Sequence, residues 1–277
     1  MIRKMLFVLL LGIITVTIIL FMKQPEPAKT ITIGEYDALA HIDVTLEELN
    51  IGISNSPDDK IHVQMQGHKL KKHMLTLNEE NNRFVMKEQQ RKKNWKENIR
   101  FHSLPTIIVQ LPKSQSKSLT LKGAYGDVTI EDLALDTVQV ETSAGMAYLK
   151  NLSISNAELH TNDGNVTIAK SAIEDLNITS SAGDVAMKES TGSAHTIQTV
   201  EGQIKMTEAI EQSNLHVKSV SGDIDIHYQK APISLQFITE GEDIEVTLPK
   251  YDKKTHMIGD GTNMLSAKTK YGGIMIK

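Results

Sequence analysis

Four stretches decide the fold: VETSAGMAYLK at 140–150, LHTNDGNVTIA at 159–169, ITSSAGDVAMK at 178–188 and IQTVEGQIKMT at 197–207. They start 19 residues apart and align column by column. Gly126, Gly145, Gly164, Gly183 and Gly202 keep that spacing, and Gly222 follows after 20. Five residues before each glycine stand Leu121, Val140, Leu159, Ile178, Ile197 and Val217. Two after it come Val128, Ala147, Val166, Val185, Ile204 and Ile224, and four after it Ile130, Leu149, Ile168, Met187, Met206 and Ile226. Three before it the column is Gly123, Thr142, Thr161, Ser180, Thr199 and Ser219.

Columns two apart are the period of a strand with one face in and one face out. Each unit therefore reads as strand, glycine turn, strand and a looser return. The glycine is expected to supply the positive φ of a tight corner, with Asp127, Asn165, Asp184 and Asp223 bonding nearby backbone. One unit cannot bury its apolar face alone, whereas copies stacked ~4.8 Å apart make a continuous core. The expected fold is all-β: a single-stranded parallel β-solenoid of about 19 residues per coil, right-handed by the preference of parallel crossovers. Aromatic content of only 4% suits so narrow an interior.

Working outward, residues 116–277 read as the solenoid with its C-terminal cap. A divergent unit surrounds Gly241, and a last glycine turn at Gly272 closes the chain. Residues 31–115 lack the beat but hold strands at Ala40–Val44, Leu49–Ile53, Ile61–Met65, Phe84–Glu88 and Ile107–Leu111. They are expected to form an opening β layer that covers the first edge of the stack, since a bare edge strand pairs with other chains. Residues 24–30, with Pro25 and Pro27, read as a short stiff linker.

Residues 1–23 form an address. Met5 to Met22 is a run of 18 residues without a charge, close to the roughly 20 that span a bilayer. No small-residue cleavage site follows, so the segment reads as an uncleaved signal anchor, one transmembrane helix ahead of the β structure. Arg3 and Lys4 before it, against Lys23 alone after it, put the N-terminus in the cytoplasm and the rest outside a cell membrane. The chain has no cysteine, which removes disulfides and thiolate chemistry and suits a Gram-positive envelope.

The search for chemistry returns little. Ten histidines are present, none in a ligand-spaced set. His195 replaces an aliphatic column (Leu119, Val138, Leu176, Leu215) and is expected at an edge. The acidic turn column suggests calcium, but Met146 and Gln203 interrupt it, so ordinary turn chemistry is the better reading. Neither a nucleophile elbow nor a phosphate loop is present, and the carboxylates are spread along an outer face with few aromatics. No enzyme, cofactor or metal is expected.

One segment stands apart. Residues 60–100 hold 11 Lys/Arg against 4 Asp/Glu, whereas 101–277 hold 15 Lys against 22 Asp/Glu and no arginine. Within 83–100 the cations are Arg83, Lys87, Arg91, Lys92, Lys93, Lys96 and Arg100, with Trp95 among them. Two readings stay open: a solvated loop between strands, or an anion-docking loop. For the second the partners would be anionic lipid headgroups or a cell-wall polymer, or else another envelope protein. Nucleic acid is excluded by the topology that the anchor implies.

The anchor, the lead-in ending in Val109-Gln110-Leu111-Pro112, and the turns Gly126-Asp127-Val128, Gly183-Asp184-Val185 and Gly222-Asp223-Ile224 together resemble the bacterial "putative adhesin" domain of unknown function. Within that family the layout is similar to LiaG-type membrane proteins. The resemblance covers roughly residues 30–277. The function expected is a non-enzymatic structural or interaction module, with an accessory or sensory subunit of a membrane signalling system as the alternative and an enzyme acting on wall polymer ranked below both. The resemblance itself implies an extracytoplasmic β-solenoid tied to cell-envelope stress, with no established activity. It carries over no site residues.

Overall fold

The computed structural model describes residues 28–68, 70–89, 104–113 and 116–277. The apolar run Met5–Met22 lies outside the described residues, among which no helix is long and apolar enough to cross a membrane. Two 12-stranded sheets enclose one aliphatic core. Among the described residues the helical content is a single 3-10 turn at Lys72–Met74.

In a regular coil the chain runs along the second sheet at Ala134–Thr142 and turns at 143–146. It then crosses the first sheet at Ala147–Lys150, turns at 151–152 and enters the next coil at Ser153–Thr161. Successive coils pair parallel and in register, so Val138, Ala157, Leu176, His195 and Leu215 stack in one file. The outer strands also bend. Leu135 and Val138 both point inward three residues apart, and the pairing skips from Leu135–Ile154 to Thr137–Asn156. That bulge recurs one coil later at Ile154 and Ala157. Each fully buried Ile, Leu or Val adds ~1.5–3 kcal/mol of transfer free energy.

The two corners differ from expectation. The repeat glycines do not have positive φ; among the described glycines only Gly67, Gly259 and Gly261 do. What they provide is room. A Cβ on Gly145 would lie 1.9 Å from the carbonyl oxygen of Gly126, and one on Gly183 2.0 Å from that of Gly164. The left-handed backbone sits at the opposite corner instead. Asp132, Asn151, Lys170, Glu189 and Glu208, again 19 apart, have φ of 59°, 53°, 52°, 50° and 52°. The looser return is thus a one-residue reversal, after which Leu133, Leu152, Ser171, Ser190 and Ala209 drop into the core.

Both ends depart from sequence order. At the C-terminus, Asn263–Lys268 and Gly273–Ile276 are inserted between the coil at 214–228 and the strands Leu235–Glu240 and Asp243–Val246. The glycine turn at Gly272 is therefore next to last in the stack, and the Gly241 unit is outermost. At the front, His41–Leu46 and Asn50–Asn55 already form a coil, with Leu49 in the glycine place. Below it Arg83–Glu88 and Thr106–Leu111 form another. The strand Lys29–Asp37 pairs antiparallel with Lys60–Gly67, and Leu75–Glu80 pairs antiparallel with Arg83–Glu88, ending the two sheets. The front strands thus continue the two long sheets and are not a separate layer.

Candidate binding surfaces

Most polar columns of the repeat are absorbed by the stack itself. At the glycine corner, Asp127 Oδ1 accepts the Met146 N–H at 3.0 Å, Asn165 Oδ1 that of Asp184 at 2.9 Å, and Asp184 Oδ1 that of Gln203 at 2.8 Å. The bonds run to the next coil, not to the local turn. Behind them, the hydroxyls of Ser180 and Thr199 donate to the carbonyls of Gly183 and Gly202 at 2.8 and 2.7 Å. These side-chain oxygens are turned onto backbone amides rather than toward one another. Among the described residues no group of three or more His, Asp or Glu side chains is placed to hold a metal ion.

Carboxylates also pin the two caps. Glu88 Oε2 accepts the successive N–H groups of Glu47, Glu48 and Leu49 at 2.8, 2.9 and 3.1 Å, occupying the place where a lower corner would stack. Glu211 accepts from the Ile233 and Ser234 N–H groups and from Asn263 Nδ2 at 2.7, 3.0 and 2.9 Å. Partial burial works to raise the Glu211 carboxyl, but these three donors outweigh it and hold the group below the usual carboxylate range.

Of the basic segment, the structure places Arg83 and Lys87 on one strand at the front of the second sheet. Arg83 is ion-paired to Asp43 and is thus engaged within the fold, whereas Lys87 is exposed. Arg91, Lys92, Lys93, Trp95, Lys96 and Arg100 lie outside the described residues. The strand of the second sheet ends at Glu88, and the chain joins the first sheet at Thr106–Leu111.

His195 is not at an edge. It is fully buried in its aliphatic file, with Nε2 2.8 Å from the Ile173 carbonyl and Nδ1 2.8 Å from Gln212 Nε2. A carbonyl only accepts, so Nε2 carries the proton and Nδ1 accepts from the Gln212 amide. Burial holds the imidazole pKa below its ordinary value, against the Ile173 carbonyl and the charges of Asp175 and Glu174. The ring needs Gly192, where a Cβ would lie 2.2 Å from Nε2. His195 and Gln212 thus form one internal polar node closed to solvent, with Gly192 packed over the ring.

Two concave strips run along the stack, one on each side of the bulge. The first is a groove of about 800 Å3 with a floor of Leu135, Ile154, Ile173 and Gly192, and with Ser153, Ser155, Asp136 and Glu174 on its walls. The second is a trough of about 600 Å3 on the flat face, bearing Asn156, Glu158, Asp175, Asn177, Thr196 and Gln198. Both follow from small or short polar residues at the bend, a signal present in the sequence but overshadowed there by the apolar columns. Asn156, Asp175, Asn177, Thr196 and Gln198 form no side-chain hydrogen bond among the described residues. Elsewhere neighbouring coils satisfy one another, as in the Lys122–Glu141 and Lys188–Glu208 pairs at 3.0 Å.

This architecture of stacked parallel coils coincides with a known family model over residues 39–277. The chain belongs to the Toastrack DUF4097 family. That agrees with the "putative adhesin" domain of unknown function to which the sequence points. Among curated proteins no sequence match was found. Solved structures similar to this Toastrack chain include a "putative lipid binding protein" from Parabacteroides distasonis, 11% identical, with a TM-score of 0.57 over 91% of this chain and 98% of that one. Another is a "putative adhesin" from Bacteroides fragilis, 16% identical, with a TM-score of 0.51 over 90% and 97%. A third, a "putative adhesin" from Parabacteroides merdae, is 10% identical with a TM-score of 0.54 over 91% and 97%. At these identities the likeness is one of fold, and a Toastrack solenoid of this kind fits a non-enzymatic interaction module.

Proposed function

We propose that this Toastrack protein is a non-enzymatic docking module held at the outer face of the cell membrane by its N-terminal segment. The observation that carries this reading is the fate of the polar columns. The turn Asp and Asn side chains that could have formed a reactive centre instead bond the next coil's backbone, and the Ser180 and Thr199 hydroxyls bond the carbonyls of their own turns. What the described fold leaves available is surface: the exposed Lys87 at the front and the open face of the second sheet.

Membrane attachment rests on Met5–Met22, and docking to anionic lipid headgroups or wall polymer on Arg83–Arg100. The lipid-binding name of one structural relative is compatible with this. The LiaG-like layout supports a place in the response to envelope stress. The test is the full chain with Arg91, Lys92, Lys93 and Lys96 changed to Gln. Binding to anionic vesicles or isolated wall should fall, and the loss should shrink as salt rises. Equal binding by both forms at every salt concentration would refute the docking role. A second reading, an accessory subunit of a signalling system, requires the helix itself. Exchanging Met5–Met22 for an unrelated anchor would abolish function in that case and preserve it in the first.

A further inference from the structure

We infer that the groove and trough flanking the bulge of the second sheet form a binding surface for a glycan chain bearing free amino groups. The inference deepens the docking-module reading and is independent of the basic segment. Three observations meet here. The first is shape: the groove, from Lys113 to Ser193, and the trough, from Thr137 to Gln198, cross neighbouring coils and run along the stacking axis. With rungs ~4.8 Å apart, such a strip offers an extended polymer on the order of 14 Å of repeating contacts.

The second is unused hydrogen-bonding capacity. Asn156, Asn177, Thr196 and Gln198 stand on the face with no side-chain partner among the described residues, which suits hydroxyl-rich sugar rings. The third is charge. Asp136, Glu158, Glu174 and Asp175 line the strips, and the cations among the lining residues are Lys113 and Lys117, both in the groove. The groove is therefore charge-balanced, with its two lysines at one end, and the excess negative charge lies in the trough at Glu158 and Asp175, which disfavours polyanions and favours ammonium groups. Each exposed ammonium–carboxylate pair adds only ~0.2–1 kcal/mol, so affinity must come from repetition along a polymer. The shallow strips and the scarcity of aromatic side chains agree with that mode of binding.

The experiment is calorimetric titration of the full chain in detergent with short chitosan oligosaccharides, with their fully acetylated counterparts, and with polygalacturonate. Chitosan should bind, weakening as salt rises; the acetylated chain should bind at least about tenfold more weakly, ~1.4 kcal/mol, and polygalacturonate not at all. Ser155→Trp fills the groove from an exposed position, and Glu174→Gln with Asp175→Asn removes charge without bulk. Each variant should lose chitosan binding about tenfold or more while keeping the parent's thermal midpoint and its vesicle binding. Unchanged chitosan affinity in the Glu174→Gln/Asp175→Asn variant would overturn the inference, as would polygalacturonate binding as tightly as chitosan. Competition by poly-lysine that surpasses chitosan would assign the surface to cationic peptide and overturn it too. Loss of vesicle binding in the Arg91, Lys92, Lys93 and Lys96 variant, with chitosan binding intact, would separate the two surfaces.

Discussion

Each regular coil has two corners, and they solve the same reversal in opposite ways. At one, the residue is glycine but the backbone is ordinary; a Cβ at Gly164 would lie 2.1 Å from the Gly145 carbonyl. At the other, the backbone is left-handed, yet the residues are Asp132, Asn151, Lys170, Glu189 and Glu208. The comparison teaches that a repeated glycine can mark contact between coils rather than conformation within one. It also locates strain where the sequence shows no glycine. A left-handed non-glycine residue costs roughly 1–2 kcal/mol, and here the cost recurs in five coils.

The largest expected effect is at the crowded corner. Gly164→Ala forces a methyl against backbone that cannot rotate away, and should cost about 3 kcal/mol or more, read as a large drop in unfolding midpoint or as loss of folded protein. Next is the buried node. His195→Leu restores the aliphatic file, yet it strips the Ile173 carbonyl of a donor and leaves the Gln212 amide without its acceptor. Despite the apolar gain, a net loss of about 1–3 kcal/mol is expected.

The same residue carries a pH signature. Its folded pKa is lowered, so below about pH 6.5 the unfolded chain binds more protons and stability falls as pH falls. The decline levels off once the pH is below the folded pKa. In His195→Leu that component of the slope disappears, although His227, also held low by burial, keeps its own. Stability curves measured between pH 7 and pH 5 check the difference.

Smaller effects sharpen the contrast. Asp184→Ala removes the acceptor of the Gln203 N–H and should cost about 1 kcal/mol in equilibrium unfolding. Lys170→Gly relieves the left-handed strain, less the entropy that glycine adds to the unfolded chain. A gain of about 0.5–1 kcal/mol is expected, the only one of these changes to raise the midpoint.

What was legible in the sequence follows from the range of the interactions. The apolar files through Val138, Ala157 and Leu176 were readable because strand alternation and the 19-residue beat are local patterns. The left-handed file was not, because Lys170 and Glu189 look like any exposed charged residue and only Asn151 and Asp132 hint at that conformation. The first coil hid because Leu49 stands where a glycine would mark it, the Glu88 carboxylate having replaced a lower corner. The insertion of 263–276 beneath the Gly241 unit depends on pairing across about 50 residues, as between Asp223 and Gly273, and no local period records it. His195 looked misplaced because its partner Gln212 lies in the following coil. Neither the groove nor the trough was foreseen, since both arise where strands bend, and the bulge is spread over several coils.

The central claim is that the glycine file serves contact and the opposite file carries the strained conformation. The most direct measurement is the urea unfolding midpoint of the full chain carrying Gly164→Ala compared with that carrying Lys170→Gly. The first should fall sharply and the second should rise. A tolerated alanine together with a destabilising glycine would contradict the account.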